Sequence, residues 1–175
     1  DASLRKLAQE YAVLPLPCGQ TLPRPLVVAQ LLGALRANAG QGERHLLVGA
    51  GSGYVGALLA QIARHVWMID RYGELVTRAK TRLAAFKVRN VDIRQGDGLG
   101  GWREHAPFDR ILLTGAVSEI PEALMAQLAR GGVLVAPVEA GSRQVVRSVS
   151  KDGSRTDSPI AEPLGRLIDG VAAAL

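Results

Sequence analysis

Between residues 45 and 138 short apolar runs alternate with segments of helical spacing, which confines the chain to an α/β architecture. "HLLVG" (45–49), "HVWMID" (65–70), "VDIRQ" (91–95), "FDRILLTG" (108–115) and "VLVAPV" (133–138) read as strands. "YVGALLAQIAR" (54–64), "GELVTRAKTRLAAF" (73–86) and "PEALMAQLA" (121–129) read as the helices between them, and "PLVVAQLLGALRA" predicts a further helix from Pro25 to Ala37. After a glycine-containing turn, "RQVVRSVSKDG" (143–153) pairs with the preceding run as an antiparallel edge. The expected fold is a doubly wound, mostly parallel sheet with helices on both faces. Ligands of such sheets bind at the carboxyl ends of the strands, near the point where strand order reverses. Gly49, Asp70, Asp97 and Thr114 all fall at or just past strand ends, so one pocket is expected to gather them.

The loop "GAGSGY" carries the strongest chemical signal. Glycine at 49, 51 and 53 lets the backbone turn sharply and approach a ligand, and the next helix should present free N–H groups. Asp70 ends the following strand, where its carboxylate can accept both hydroxyls of a ribose. These features point to an adenosine-bearing cofactor without choosing one, because Gly51, Gly53 and Gly56 also spell the dinucleotide fingerprint. Asp97, in "QGDG", stands where a carboxylate can accept a bond from an adenine amino group, with Gly98 leaving room for the ring. No second dinucleotide half follows.

Composition narrows the field. The 175 residues suit one domain with a real core, and no apolar run is long enough for a membrane span. The chain opens on Asp1 without a signal-peptide pattern, which reads as a trimmed start. A single cysteine, Cys18, permits no internal disulfide and fits a reducing, cytoplasmic setting. Three scattered histidines show no metal-ligand spacing, so no metal is expected. The net charge of +5 permits an anionic partner, but the arginines are dispersed and aromatics make up only 4% of the chain. A solvated basic surface is expected rather than a nucleic-acid interface. Trp102 reads as a loop anchor rather than a stacking platform.

From Gly19 to Val138 the ordered motifs "GQT", "GAGSGY", "VWMID", "GDG", "GWREHAPFDRILLTGA", "EIPEAL" and "LARGGVLVAPV" resemble the protein-L-isoaspartate O-methyltransferase family. That family belongs to the Rossmann-like class I methyltransferases, so the resemblance implies a seven-stranded sheet and S-adenosyl-L-methionine as cofactor. It implies one domain over residues 1–175, with 1–24 as a substrate-side segment, acting as a monomer on isoaspartyl peptides and proteins. It implies cofactor contacts from Gly49, Ala50, Gly51, Ser52, Gly53, Asp70, Arg71, Asp97, Gly98 and Thr114. The family's chemistry would esterify an isoaspartyl carboxylate, and collapse of the ester to a succinimide lets normal aspartate re-form.

The pattern breaks at two places. The family's substrate-side segment has a serine where this chain has Pro23, which supplies neither a hydroxyl nor an N–H. Thr21 is then the only hydroxyl left there and the candidate catalytic residue. Leu47 stands where the family commonly has an acid, so the pocket is expected to lose a polar contact. These departures keep open a cofactor-binding relative with reduced or no activity, or a methyltransferase for another acceptor. A nucleic-acid methyltransferase lacks its D-P-P-Y-type motif here, and a nicotinamide dehydrogenase is the remaining alternative.

Overall fold

The computed structural model describes residues 13–36 and 42–172. Its centre is a seven-stranded sheet formed by β3 (Arg44–Val48), β4 (His65–Asp70), β5 (Val91–Gln95), β6 (Phe108–Leu113), β7 (Leu128–Ala140), β8 (Arg143–Ser150) and β9 (Arg155–Pro159), in the order β5-β4-β3-β6-β7-β8-β9. The first five positions are parallel; β8 runs antiparallel to β7, and β9 pairs antiparallel with β8 at the edge, returning to the direction of the first five. A separate two-stranded hairpin, β1 (Leu14–Pro15) with β2 (Thr21–Leu22), precedes the sheet. Sheet order reverses between β3 and β6, so the carboxyl ends of these two strands flank a crevice.

One face of the sheet is covered by α1 (Pro25–Leu35), α2 (Tyr54–Leu59) and α3 (Gly73–Ala85). In α1 the apolar positions Val27, Val28, Leu31 and Leu35 fall on one stripe and are all buried, and Pro25 starts the helix where its missing N–H costs nothing. The predicted end at Ala37 lies outside the described residues. In α3 Leu75, Val76, Ala79 and Leu83 are buried while Glu74 and Arg78 pair on the solvent side at 2.7 Å. The other face carries Leu46, Val48, Trp67, Ile69, Ile111 and Leu113, covered by α4 (Glu122–Ala126) and by the 97–107 loop through Trp102 and Ala106. At the amino ends of the strands the buried Glu43 carboxylate pairs with Arg110 at 2.7 Å and His45 at 3.1 Å.

Three expectations need correction. The helix read over 54–64 stops at Leu59, and the one read over 121–129 spans only Glu122–Ala126. Leu128–Arg130 instead belong to β7, whose Leu128 pairs with Phe108 beside a register shift. The seventh strand, β9, had no reading of its own, because all five of its residues are exposed and show no apolar alternation.

Candidate active site

The crevice between β3 and β6 is a cleft open to solvent, with a cavity volume of about 130 Å³. Its floor is the turn after β3. Gly49, Gly51 and Gly53 all have positive φ, at 88°, 54° and 85°, a conformation that costs a side-chain-bearing residue 1–2 kcal/mol or more. At Gly49 a Cβ would also collide with Thr114 Oγ1, whose hydroxyl donates to the Gly49 carbonyl at 2.6 Å. Gly53 has a different reason: a Cβ there would press on Ala79 of α3 at 3.3 Å, so this glycine serves helix packing and does not line the cleft.

Asp70 ends β4 with 6% exposure. Its Oδ2 accepts the Gly51 N–H at 2.8 Å and its Oδ1 accepts the Tyr72 N–H at 3.0 Å, which fixes the carboxylate plane at the wall of the cleft. Each oxygen keeps a further lone-pair direction for a ligand hydroxyl. Burial raises its pKa, opposed by these backbone bonds and by the charge of Arg71. Arg71 lines the same wall; its guanidinium lies 5.5 Å from the centre of the Tyr72 ring and its buried Nε has no hydrogen-bond partner among the described residues. A buried donor without a partner, beside a cradle too tight for a Cβ, is what a bound polar ligand would complete.

The free N–H groups expected at the loop are mostly engaged. Gly49 and Ala50 donate to the Ile69 carbonyl, Gly51 to Asp70, Gly53 to the Ala50 carbonyl and Tyr54 to Ser52 Oγ. The loop is held rigid, and ligand recognition falls to Asp70 and to shape.

Gly49, Ala50, Gly51, Ser52, Asp70, Arg71, Gly98 and Thr114 line one cleft together with Thr21 and Pro23. Asp97 lies next to that lining but not in it: its Oδ1 closes a turn by accepting the Leu99 N–H at 2.9 Å. Gly98 does reach the cleft, but the atom nearest its missing Cβ is Val48 Cγ1, so close sheet packing demands this glycine. Leu47 is fully buried in the core and does not line the cleft, so the contact expected to be lost there is not a cleft contact in this chain.

The substrate-side segment was expected at the site through Thr21 and Pro23 alone, and a second wall was not expected at all. The β1–β2 hairpin contributes Leu16 and Gln20, with Gln20 Nε2 reaching Cys18 O at 3.2 Å and the Tyr72 hydroxyl at 3.4 Å. Facing the same space is residues 164–168 of a C-terminal strap. The Ala116 N–H donates to Gly165 O and the Leu167 N–H to Ala116 O, both at 2.8 Å, so the strap is fastened through its backbone. Gly115 has no room for a side chain because Gly165 O and Leu167 press on it. Composition gave no cue to the strap beyond the glycine pair at 115 and 165. Among the described residues no group of three or more His, Cys, Asp or Glu could hold a metal.

Comparison with known proteins matches this arrangement. The family model described as Protein-L-isoaspartate(D-aspartate) O-methyltransferase covers residues 1–162. The chain is 44% identical to the protein-L-isoaspartate O-methyltransferase of Rhodospirillum rubrum over 171 residues, which is 94% of this chain and 76% of that protein. The protein of the same name from Halorhodospira halophila is 44% identical over 153 residues, 87% of this chain and 69% of the other. A Plasmodium falciparum structure described under the same activity and solved with S-adenosyl-L-homocysteine superimposes with a TM-score of 0.76 at 23% identity, covering 89% of this chain and 79% of that one. The latter likeness speaks to the fold, and the sequence matches speak to descent: the chain belongs to the protein-L-isoaspartate(D-aspartate) O-methyltransferase family.

Proposed function

We propose that this chain is an S-adenosylmethionine-dependent methyltransferase that esterifies the carboxylate of isoaspartyl residues in damaged peptides and proteins. One observation carries the reading: the glycine loop with Asp70 and the Thr21–Pro23 segment line a single cleft at the reversal of strand order. Family membership supplies the reaction class.

The residues suit the cofactor. Asp70 would hold the ribose hydroxyls, Ala50, Gly51 and Ser52 would pass beneath, and Gly98 and Leu99 would wall the adenine end with Asp97 beside them. Bound there, the cofactor supplies a methyl group activated on a sulfonium. The chain's own contribution is positional. A carboxylate is already ionised near neutral pH, so no general base is required. The Thr21 hydroxyl, exposed at the edge of β2, would donate to one acceptor oxygen, while Leu16, Leu22 and Leu167 exclude water around it. Holding the two reacting groups in line replaces an encounter in solution by an oriented one, which is where most of the rate is expected to arise. Pro23 lines the cleft without a donor, and that favours the second reading, a relative with weakened isoaspartyl activity or another acceptor.

The proposal extends to the setting: a monomer in the cytoplasm acting on isoaspartyl proteins, without nucleic acid. The dispersed basic residues support the absence of a nucleic-acid partner and the single cysteine fits a reducing compartment; among the described residues no helix is long and apolar enough to cross a membrane. Incubation with methyl-labelled S-adenosylmethionine and an isoaspartyl peptide, beside its normal aspartyl twin, tests the reaction. Label in the first peptide alone is expected; equal labelling of both, or of neither, overturns it.

A further inference from the structure

Resting on the carboxylate-transfer reading above, we propose that Arg166 recognises the negative charge of the acceptor, placing part of the specificity for isoaspartyl peptides in the C-terminal strap. Among the described residues the cleft lining holds one anion, Asp70, and two cations, Arg71 and Arg166. An acceptor carboxylate entering this space is repelled by Asp70, so a protein cation at the acceptor end favours its binding. Arg71 follows the proposed ribose anchor and lies over the Tyr72 ring, toward the cofactor end. Thr21 offers one hydroxyl donor and Pro23 none, and the Gln20 amide is committed to Cys18 O and the Tyr72 hydroxyl, so these side chains leave one donor for the several lone pairs of the acceptor and nothing for its charge.

Arg166 meets the remaining need. Its backbone is held by the bonds that Ala116 makes to Gly165 and Leu167, and the strap is fastened again by the reciprocal pair between Gln144 and Leu164, at 2.8 and 2.9 Å. Farther along, the Ala172 N–H donates to Arg71 O at 3.1 Å, so the strap spans from the β6 side of the cleft to the β4 side. The guanidinium is oriented by Glu139, whose Oε1 lies 3.2 Å from Nε. That pair leaves both Nη groups without a partner among the described residues, on a side chain 62% exposed at the mouth. Two parallel N–H donors on a fixed plane match a carboxylate in geometry and in charge. Glu139 then acts as a positioning residue for Arg166.

The test uses the whole chain with S-adenosylhomocysteine bound, and two probes: an isoaspartyl peptide and the same peptide with that residue's α-carboxylate replaced by the carboxamide. Arg166→Gln should weaken binding of the carboxylate peptide about tenfold or more, while the amide peptide changes by less than about twofold. Arg166→Lys should fall between, since it keeps the charge and loses the fork. In turnover the loss should appear mainly in KM, with affinity for S-adenosylhomocysteine unchanged. If Arg166 only pins the strap, both peptides weaken alike in Arg166→Gln; that result overturns the inference, as does unchanged discrimination in Arg166→Gln. A wild-type chain that neither binds nor methylates the isoaspartyl peptide overturns the functional reading and this inference together, whereas an active wild type with an indifferent Arg166 overturns the inference alone.

Discussion

Asp70 Oδ2 accepts the Gly51 N–H at 2.8 Å, so the residue proposed to anchor the ribose also clamps the glycine loop that forms the cleft floor. Binding and local architecture are therefore coupled through one carboxylate. Asp70→Ala should weaken S-adenosylmethionine binding by about 1.5–3 kcal/mol, the range for hydrogen bonds to charged groups. It should also lower stability, because the N–H groups of Gly51 and Tyr72 lose their acceptor. Calorimetric titration beside a thermal melt checks both, and unchanged affinity would remove Asp70 from the site.

The same carboxylate predicts a pH dependence. Burial raises the Asp70 pKa above the ordinary carboxylate value. The ionised form is the one that accepts both ribose hydroxyls, so cofactor affinity should fall as pH drops through this raised pKa, earlier than an exposed aspartate would cause. For folding the sign is opposite. The native state holds the proton more tightly than the unfolded chain, so the contribution of this group is fully present below the unfolded pKa and is lost as pH rises through the folded one. Titrations of affinity and of stability across the acidic range should slope in opposite directions, and Asp70→Asn should flatten both.

Gly49→Ala should be severe. The φ of 88° disfavours any side chain, and the new methyl meets the Thr114 hydroxyl. A loss of about 2–4 kcal/mol in denaturant unfolding is expected from strain plus displacement of Thr114. Thr114→Val, which removes the donor to Val48 O and Gly49 O but keeps the shape, should cost about 1 kcal/mol.

Gln127, 5% exposed, ties the loop after β5 to α4. Its Nε2 donates to Gly100 O and Ala123 O, both at 2.9 Å, and its Oε1 accepts the Trp102 N–H at 2.8 Å. Gln127→Leu leaves those groups unmatched and should destabilise by about 2–4 kcal/mol in chemical denaturation, whereas an effect below about 0.5 kcal/mol would show that water replaces the amide.

The sequence was most informative where side-chain pattern and backbone demand coincide. Strands at 65–70 and 91–95 match the predicted limits, because apolar runs there end at sharp polar or glycine boundaries. The glycine turn and Asp70 were legible for the same reason. What escaped was held by backbone bonds or by lone polar side chains. β9 exposes every residue, the strap is fastened through Ala116, and Gln127 reads in sequence as one more helical glutamine. Asp97 shows the converse, since a carboxylate at a strand end is as able to close its own turn as to face a ligand.

Pro23 lines the cleft where the family's segment supplies a hydroxyl. Pro23→Ser should therefore raise methylation of isoaspartyl peptides while leaving cofactor affinity unchanged, since Asp70 and the glycine turn are untouched. A gain in kcat would mean that the hydroxyl acts in the transition state, and a fall in KM alone that it holds the peptide. Serine also frees the φ that proline fixes, so a structure of the variant with Thr21 and Leu22 still paired to β1 should accompany the kinetics.

The central claim is carboxylate methylation at isoaspartyl residues by a chain that carries Pro23. Its most direct test is to locate the transferred methyl group on an isoaspartyl peptide by fragment mass spectrometry after a single turnover with the wild-type chain. A base-labile ester on the isoaspartyl carboxylate, absent from the aspartyl twin, is the predicted result. S-adenosylmethionine that binds tightly while the peptide stays unmodified, or a methyl group found on nitrogen, would contradict the account.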